Sequence, residues 1–230
     1  MALFDSVIDV SDAQDEIDWQ RVAAAGIKVA MIKATEGATF TADTWTTNRD
    51  GAKNAGIAVI PYHFLTSADA NAQADHFSSV AGLGKGMAYA LDWEGVGTAS
   101  PDQVDVIGRA LLELTGRTPL GYWGIPGSTP TQVKNGPAIP PSAFMQTWER
   151  WVPRYRAGEI PDFSQMPSQF TTPFGPPHKP SVPGNFLFWQ YTDAGIIDGI
   201  TDNTDRSVGS FADAAAMVAW VTAAAPAPGA

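Results

Sequence analysis

The stretch VIDVSDAQDEIDWQRVAAAGIKVAMIK, residues 7–33, decides how the chain is expected to fold. It reads as a short apolar strand over Val7–Val10, a helix over residues 17–25 that ends at Gly26, and a buried strand over residues 28–33. A strand, a crossover helix and a second strand form the unit from which parallel sheets are built. We therefore expect these two strands to lie side by side and to run in the same direction.

The same alternation of strands and helices continues as far as Trp123. It predicts helices over residues 43–55, 68–80 and 102–115, and strands over residues 57–65, 87–94 and 120–123. Gly56 and Gly116 follow two of these helices directly, the usual place for a glycine that ends a helix. For 230 residues arranged in this way, we predict an α/β protein built as a single closed or nearly closed β/α barrel, similar to a TIM barrel, rather than as an open sheet.

The pattern breaks after Trp123. Residues 124–142 and 152–184 are rich in proline, glycine and serine, which is typical of long binding loops. The apolar pieces 143–148 and 185–191 are predicted to complete the barrel as short strands, and an alanine-rich helix over residues 211–224 to close it. We predict one domain over residues 1–225 and a frayed tail over residues 226–230.

The composition narrows the classes of function. Fourteen basic and 24 acidic residues give a net charge of −10, which argues against binding to nucleic-acid phosphates. The absence of cysteine excludes disulfides, thiolate metal sites and a cysteine nucleophile. No apolar run is long enough to span a membrane, and the first residues lack the features of a signal peptide. We expect no cofactor, no metal and no stable membrane insertion.

Three carboxylates lie at the ends of predicted strands: Asp9 in VIDV, and Asp92 and Glu94 in ALDWE. Residues two apart in a strand project from the same face, so Asp92 and Glu94 should point the same way and Trp93 the opposite way. The carboxyl ends of barrel strands meet at one mouth. Repulsion among acids gathered there would raise the pKa of at least one, and a protonated acid can serve as general acid for a glycosidic oxygen.

Other interpretations of these acids stay open. They could cap helices or pair with lysine and arginine, or they could bind a divalent cation through oxygen ligands. The chain also has eight tryptophans, five tyrosines and eleven phenylalanines, which suit either a well-packed core or a cleft that stacks on sugar rings. The aromatic residues favour a sugar over a hydrated cation as the ligand.

Five segments resemble the glycoside hydrolase family 25 muramidases, and they occur in the order found in that family. They are VIDV to IKATEG at 7–37, PYHF at 61–64, QAD at 73–75, LDWE at 91–94 and WQYTDAG at 189–195, so that the resemblance spans about residues 7–211. It implies an irregular β/α barrel that hydrolyses the β-1,4 bond between N-acetylmuramic acid and N-acetylglucosamine in bacterial peptidoglycan, with retention of configuration.

Carried over residue by residue, the resemblance also implies catalytic roles. Glu94 would be the general acid, and Asp92 would either attack the anomeric carbon or hold the 2-acetamido group of the substrate, whose oxygen then attacks. Asp9 and Asp205 would complete the catalytic carboxylates, with Asp198 as a competitor of Asp205. Contacts with the substrate are predicted for Tyr62, Tyr122, Trp189 and Tyr191.

The expected partner is the glycan strand of peptidoglycan, bound by a monomer. The protein would be made in the cytoplasm and would reach the bacterial wall through a holin, as phage endolysins do, or by another export route. Two alternatives on the same barrel stay open. A chitinase-like N-acetylglucosaminidase would cleave chitin oligomers but not the wall, and a non-catalytic glycan-binding module would bind without producing reducing ends.

Overall fold

The computed structural model of the chain describes residues 2–14, 16–94, 98–123, 141–153 and 186–223. Within these ranges the strands are β1 (Ala2–Val10), β2 (Val29–Glu36), β3 (Phe40–Thr41), β4 (Ala58–Phe64), β5 (Ala90–Asp92), β6 (Leu120–Tyr122), β7 (Glu149–Pro153), β8 (Phe188–Gly195) and β9 (Thr204–Phe211). The helices are α1 (Trp19–Ala24), α2 (Trp45–Asn54), α3 (Ala70–Ala81), α4 (Pro101–Thr115) and α5 (Ala214–Thr222).

Eight of these strands close into a barrel. Their order around it is β1, β9, β8, β7, β6, β5, β4 and β2, and β2 pairs back with β1, while β3 forms a short hairpin with β2. All neighbouring pairs in the barrel are parallel except those of β9, which runs antiparallel to both β8 and β1. The prediction of a single irregular β/α barrel is confirmed, and β9 is one source of the irregularity.

The core has two layers, one inside the barrel and one between the barrel and its helices. The inner layer includes Val7, Val29, Met31, Ile60, Leu120 and Phe188. The outer layer includes Ile8, Ile32, Phe77, Leu91 and Ile107. Because side chains alternate along a strand, Val7 and Ile8 belong to different layers. Met217 and Val221 of α5 join the inner layer, so this helix covers the end of the barrel where β4 begins.

Helix α4 shows how local sequence places the elements. The Ser100 hydroxyl accepts a hydrogen bond from the backbone nitrogen of Gln103, and the side-chain oxygen of Gln103 accepts one from the backbone nitrogen of Ser100. This reciprocal pair is a capping box, which satisfies backbone donors that a helix start leaves free. Gly116 ends the helix at a φ of 75°, a conformation that residues with a Cβ rarely adopt.

The predicted strand over residues 143–148 is wrong. This segment contains a 3₁₀ turn at Met145–Thr147, and the strand β7 follows it. Trp148 packs outside the barrel against Gly108 of α4, where an added Cβ would lie 2.5 Å from the indole. The apolar residues of this segment are therefore explained by helix packing, and Trp151 of β7 supplies the ring that faces the barrel interior.

Strand β9 is absent from the sequence prediction. Its sequence, TDRSVGSF, lacks the apolar alternation that marks a half-buried strand, since Asp205, Ser207 and Gly209 occupy alternating positions. The closing helix α5 consequently begins at Ala214 rather than at residue 211.

Most of the two predicted loops and the whole predicted tail lie outside the described residues, so the domain limits stay a prediction. No helix in the described ranges is both long and apolar enough to cross a bilayer.

Candidate active site

Four carboxylates meet at the mouth of the barrel where the parallel strands end. Asp9 lies near the end of β1, Asp92 is the last residue of β5, and Glu94 follows two residues later. Asp205 lies at the start of β9, and because β9 is antiparallel its start is at the same mouth, directly opposite Asp9 in the strand register. Tyr62 of β4 lies near enough that the charges of all four carboxylates raise its pKa.

Asp9 and Asp205 are joined by the amide of Gln190, which projects inward from β8. The Nε2 atom of Gln190 donates to Oδ1 and Oδ2 of Asp9, both at 3.0 Å, and to Oδ2 of Asp205 at 3.1 Å. The hydroxyl of Tyr122 donates to Oε1 of the same amide at 2.8 Å. A phenol, an amide and two carboxyl groups thus form one connected network.

Asp92 and Glu94 form a second pair on another part of the mouth. Asp92 is only 6% exposed, and its Oδ1 atom has no hydrogen-bond partner within the described part of the protein. Glu94 lies just beyond the strand and is half-buried. Trp93 lies between them in the outer core layer and donates from its ring to the carbonyl oxygen of Ala99 at 2.7 Å. The two acids therefore face the mouth while the indole anchors the strand end.

Lys33 places a positive charge beside this second pair. Its ammonium group lies 2.6 Å from Oε2 of Glu36 and 5.1 Å from the ring centre of Phe64. Phe64 is the register partner of Asp92 in the neighbouring strand. The charge of Lys33 acts on both Asp92 and Glu94 and favours their ionised forms.

Burial raises the pKa of all four carboxyl groups in the mouth, and repulsion among them adds to this at Asp9, Asp92 and Glu94. Burial, followed by the charge of Asp205, raises the pKa of Asp9 well above its usual value. Burial, followed by the charge of Glu94, does the same for Asp92. Burial and the charge of Asp205 raise the pKa of Glu94, and burial raises that of Asp205. Such raised values keep a carboxyl group protonated at a pH where a free one has ionised.

Aromatic rings form the floor of the mouth. Tyr62 meets Trp151 edge-on with ring centres 6.1 Å apart, and Tyr122 lies 4.5 Å from the same indole. The ring nitrogen of Trp151 donates to the Ser207 hydroxyl at 3.1 Å. Tyr62 and Tyr122 thus lie beside the carboxylates, while their contact with substrate stays a prediction.

Trp189 and Tyr191 lie outside the carboxylate network, and their predicted contact with substrate stays a prediction. Both lie on the face of β8 opposite to Gln190, with ring centres 6.2 Å apart, and Trp189 is only 1% exposed. The Tyr191 hydroxyl donates to Asp5 at 2.9 Å. The large rings suggested a sugar contact, but strand alternation turns them away from the mouth and turns Gln190 into it.

Asp198, the competitor of Asp205, lies on the surface. It is paired with the guanidinium of Arg21 on α1, and its side chain is 58% exposed. Asp205 instead shares the Gln190 amide with Asp9. The geometry therefore brings Asp205 into the carboxylate cluster and leaves Asp198 outside it.

Two residues of the mouth are missing from the sequence prediction: Gln190 and Lys33. For Gln190 a signal existed, because its place between two buried aromatic residues in WQY puts it on the other face of the strand. For Lys33 the signal was a charge at the end of the otherwise apolar strand KVAMIK. The described ranges contain no group of three or more acidic or histidine side chains arranged to hold a metal ion.

Comparison with known proteins gives a consistent result. The sequence model of the family described as glycosyl hydrolases family 25 matches residues 8–200. The chain is 27% identical to an autolytic lysozyme of Clostridium acetobutylicum, over 86% of this chain and 53% of that protein. It is 29% identical to lysozyme M1 of Streptomyces globisporus, over 87% of this chain and 66% of that protein. The chain thus spans between about half and two thirds of the length of these relatives.

Solved structures share the fold at low sequence identity. A bacterial lysozyme from Streptomyces coelicolor has a TM-score of 0.66 at 24% identity, covering 93% of this chain and 95% of that one. A lysozyme from Aspergillus fumigatus has a TM-score of 0.70 at 18% identity, covering 96% and 99%. The catalytic domain of an endolysin from a Listeria monocytogenes bacteriophage has a TM-score of 0.64 at 20% identity, covering 95% and 97%.

Proposed function

This chain belongs to the glycosyl hydrolases family 25, and we propose on that basis that it is a lysozyme acting on bacterial peptidoglycan. The bond cleaved would be the β-1,4 bond between N-acetylmuramic acid and N-acetylglucosamine. The names of the lysozyme relatives support this substrate. The observation that carries the proposal is the meeting of Asp9, Asp92, Glu94 and Asp205 at one aromatic-floored mouth.

Glu94 is the general acid of the proposed reaction. It is the half-buried member of its pair, so its carboxyl group is accessible, and burial with the charge of Asp205 raises its pKa. As the glycosidic bond breaks, the Glu94 proton moves to the leaving oxygen, and the departing sugar leaves with a hydroxyl group. The resulting carboxylate then takes a proton from the water that attacks the anomeric carbon.

Asp92 supports the first step by holding the 2-acetamido group of the substrate. Its buried Oδ1 atom, which has no partner in the described part of the protein, suits an N–H donor from a ligand. The acetamido oxygen would attack the anomeric carbon, and water would then open the resulting ring. Two successive displacements at the same carbon retain the configuration, and substrate-assisted hydrolysis of this kind is a known exception to the scheme with two protein carboxylates.

The proposed place of action is the bacterial cell wall. The lysozyme and endolysin relatives favour this location, with release through a holin or by another export route from the cytoplasm. The proposed working form is a monomer, with the glycan strand as its partner. Tyr62 and Tyr122 would line the floor of the mouth beneath that strand.

The test is an assay on purified peptidoglycan that counts the reducing ends released by the wild type and by Glu94→Gln. The substitution keeps the shape of the side chain and removes its proton, so we expect a loss of about a hundredfold or more, the usual contribution of a general acid. Glu113→Gln on α4, an exposed position, is the matched control and should keep full activity. Muramic acid should occupy the new reducing ends.

Other outcomes would assign another function. Cleavage of chitin oligomers without cleavage of the wall would indicate a chitinase-like enzyme. Binding to peptidoglycan without new reducing ends in the wild type would indicate a glycan-binding module. Equal activity of Glu94→Gln and the wild type would remove Glu94 from the role of acid.

A further inference from the structure

The side-chain amide of Gln190 donates hydrogen bonds to carboxyl groups on two different strands, Asp9 on β1 and Asp205 on β9. We propose that Gln190 is a positioning residue that holds Asp9 and Asp205 side by side, favours the ionised form of this pair and thereby sets the negative charge that Glu94 faces. The inference rests on the proposed function, because it concerns the acid of that reaction.

The orientation of the amide is fixed by its partners on both sides. An amide carbonyl oxygen only accepts hydrogen bonds and an amide nitrogen only donates them. Tyr122 lies at hydrogen-bond distance on one side of the amide, and three carboxyl oxygens lie on the other. Reversing the amide would place its oxygen against the carboxyl oxygens and its nitrogen against the phenol. The carboxyl oxygens therefore keep the amide nitrogen turned toward Asp9 and Asp205, and the Tyr122 hydroxyl, which donates to the amide oxygen, supports this orientation.

Two carboxyl groups that bind the same nitrogen must lie close together, and like charges at such a distance disfavour joint ionisation. The two side chains also act directly on each other, and this interaction raises the pKa of Asp9. Such coupling is expected where two acids share one proton, which then belongs to the pair as a unit. The Gln190 amide acts in the opposite direction, because its bond to Asp9 stabilises the carboxylate and lowers the Asp9 pKa.

The pair is electrostatically connected to the proposed acid. The charge of Asp205 raises the pKa of both Glu94 and Asp92. The other titratable or charged groups that face these acids are Tyr62 of β4, Lys33 and Glu36 of β2, and Asp193 of β8. Without the amide, the pair would keep its proton to a higher pH and present less negative charge. Glu94 would then lose its own proton at a lower pH.

The experiment compares the pH profile of kcat/KM on peptidoglycan for the wild type and Gln190→Met, which keeps the side-chain length and removes the donor. We expect the alkaline limb to move to lower pH, and kcat at the optimum to fall by no more than about tenfold, the lower end of the range for a lost hydrogen bond to a charged group. Tyr122→Phe, which frees the amide to turn, should move the limb in the same direction by less. Because the two side chains act through one amide, the double variant should resemble Gln190→Met alone.

Gln73→Met is the matched control for the loss of a buried glutamine. Gln73 is also fully buried and hydrogen-bonded, but its partners are His63, Thr66 and the Ala68 carbonyl oxygen, outside the carboxylate network. This variant should lose stability and keep the wild-type pH profile. An unchanged profile in both Gln190→Met and Tyr122→Phe, or an equal movement in Gln73→Met, would overturn the inference.

A second measurement separates this inference from the proposed function. The side-chain carboxyl groups of the wild type and Tyr122→Phe can be titrated by ¹³C NMR, with apparent pKa values assigned to the pair as a unit. We expect the pair to titrate at higher pH in Tyr122→Phe whether or not the wild type cleaves peptidoglycan. An unchanged titration of the pair would overturn the role of the amide, whereas an inactive wild type with a shifted pair would overturn the proposed function alone.

Discussion

The two carboxylate pairs at the mouth are built in opposite ways. Asp92 and Glu94 come from one strand end and lie near a lysine, and Oδ1 of Asp92 has no bonded partner in the described ranges. Asp9 and Asp205 come from strands distant in the sequence and are bound by the same amide. The first pair has a buried oxygen with no bonded partner in the described ranges, whereas the Gln190 amide binds both oxygens of Asp9 and one oxygen of Asp205.

This difference suggests a division of labour within one mouth. A pair that reacts with substrate must exchange a proton and therefore needs accessible oxygen atoms. A pair that shapes the electric field can keep its proton and its hydrogen bonds throughout the reaction. In the proposed function the Asp92–Glu94 pair reacts with the sugar, and the Asp9–Asp205 pair maintains the negative charge that acts on Asp92 and Glu94.

The largest expected effect is a loss of kcat that differs between the two pairs. Asp92→Asn should lower kcat about 100- to 1000-fold, the cost of removing one electrostatic stabiliser of a transition state. Asp205→Asn should lower kcat only about tenfold, because Asp205 acts on Glu94 from a distance. The measurement is kcat on peptidoglycan at the optimum of each variant.

The stability of Asp92→Asn provides the control for misfolding. Asp92 has a raised pKa in the folded protein, so above the pKa of the unfolded chain the folded state binds more protons and stability falls as pH rises. Removing this acid should therefore raise the melting temperature more at pH 7 than at pH 3. Equal losses of activity in Asp92→Asn and Asp205→Asn would abolish the division of labour.

The same contrast explains what could be predicted from the sequence. Asp92 and Glu94 follow from local alternation on one strand, and the parallel half of the barrel follows from apolar runs and helix ends. The partnership of Asp9 with Asp205 depends on β9, whose polar sequence carries no strand signal, and on its antiparallel register. The family resemblance, and not the local pattern, indicates Asp205. Gln190 is missed because the predicted contact with sugar rests on the aromatic residues on either side of it.

A smaller effect is expected from the cation beside the first pair. Lys33 lowers the pKa of Asp92 and Glu94, so Lys33→Met should raise both. Glu36, which loses its partner in this variant, adds to the increase at Asp92. Both limbs of the pH profile of kcat/KM should therefore move to higher pH, with a change in activity of only a few-fold at the optimum.

Lys53→Met is the matched control for this change of charge. Lys53 lies in the last turn of α2, beside the end of the barrel that α5 covers and away from the mouth. It should leave the profile in place, because exposed charges separated by more than about 10 Å are largely screened at ordinary ionic strength. A profile of Lys33→Met that stays fixed, or moves to lower pH, would show that the cation does not act on the reacting pair.

The smallest effect is expected from Asp198, whose sequence position made it a rival of Asp205. Its carboxylate pairs with Arg21 in an exposed salt bridge, and such pairs contribute little to stability because water and salt screen them. Asp198→Asn should therefore keep the wild-type kcat within about twofold and leave the pH profile unchanged. Asp205→Asn, the same chemical change seven residues later, should lose activity and lower the alkaline limb, because Glu94 no longer faces its charge. A loss in Asp198→Asn as large as that in Asp205→Asn would place the fourth carboxylate of the reaction outside the barrel mouth.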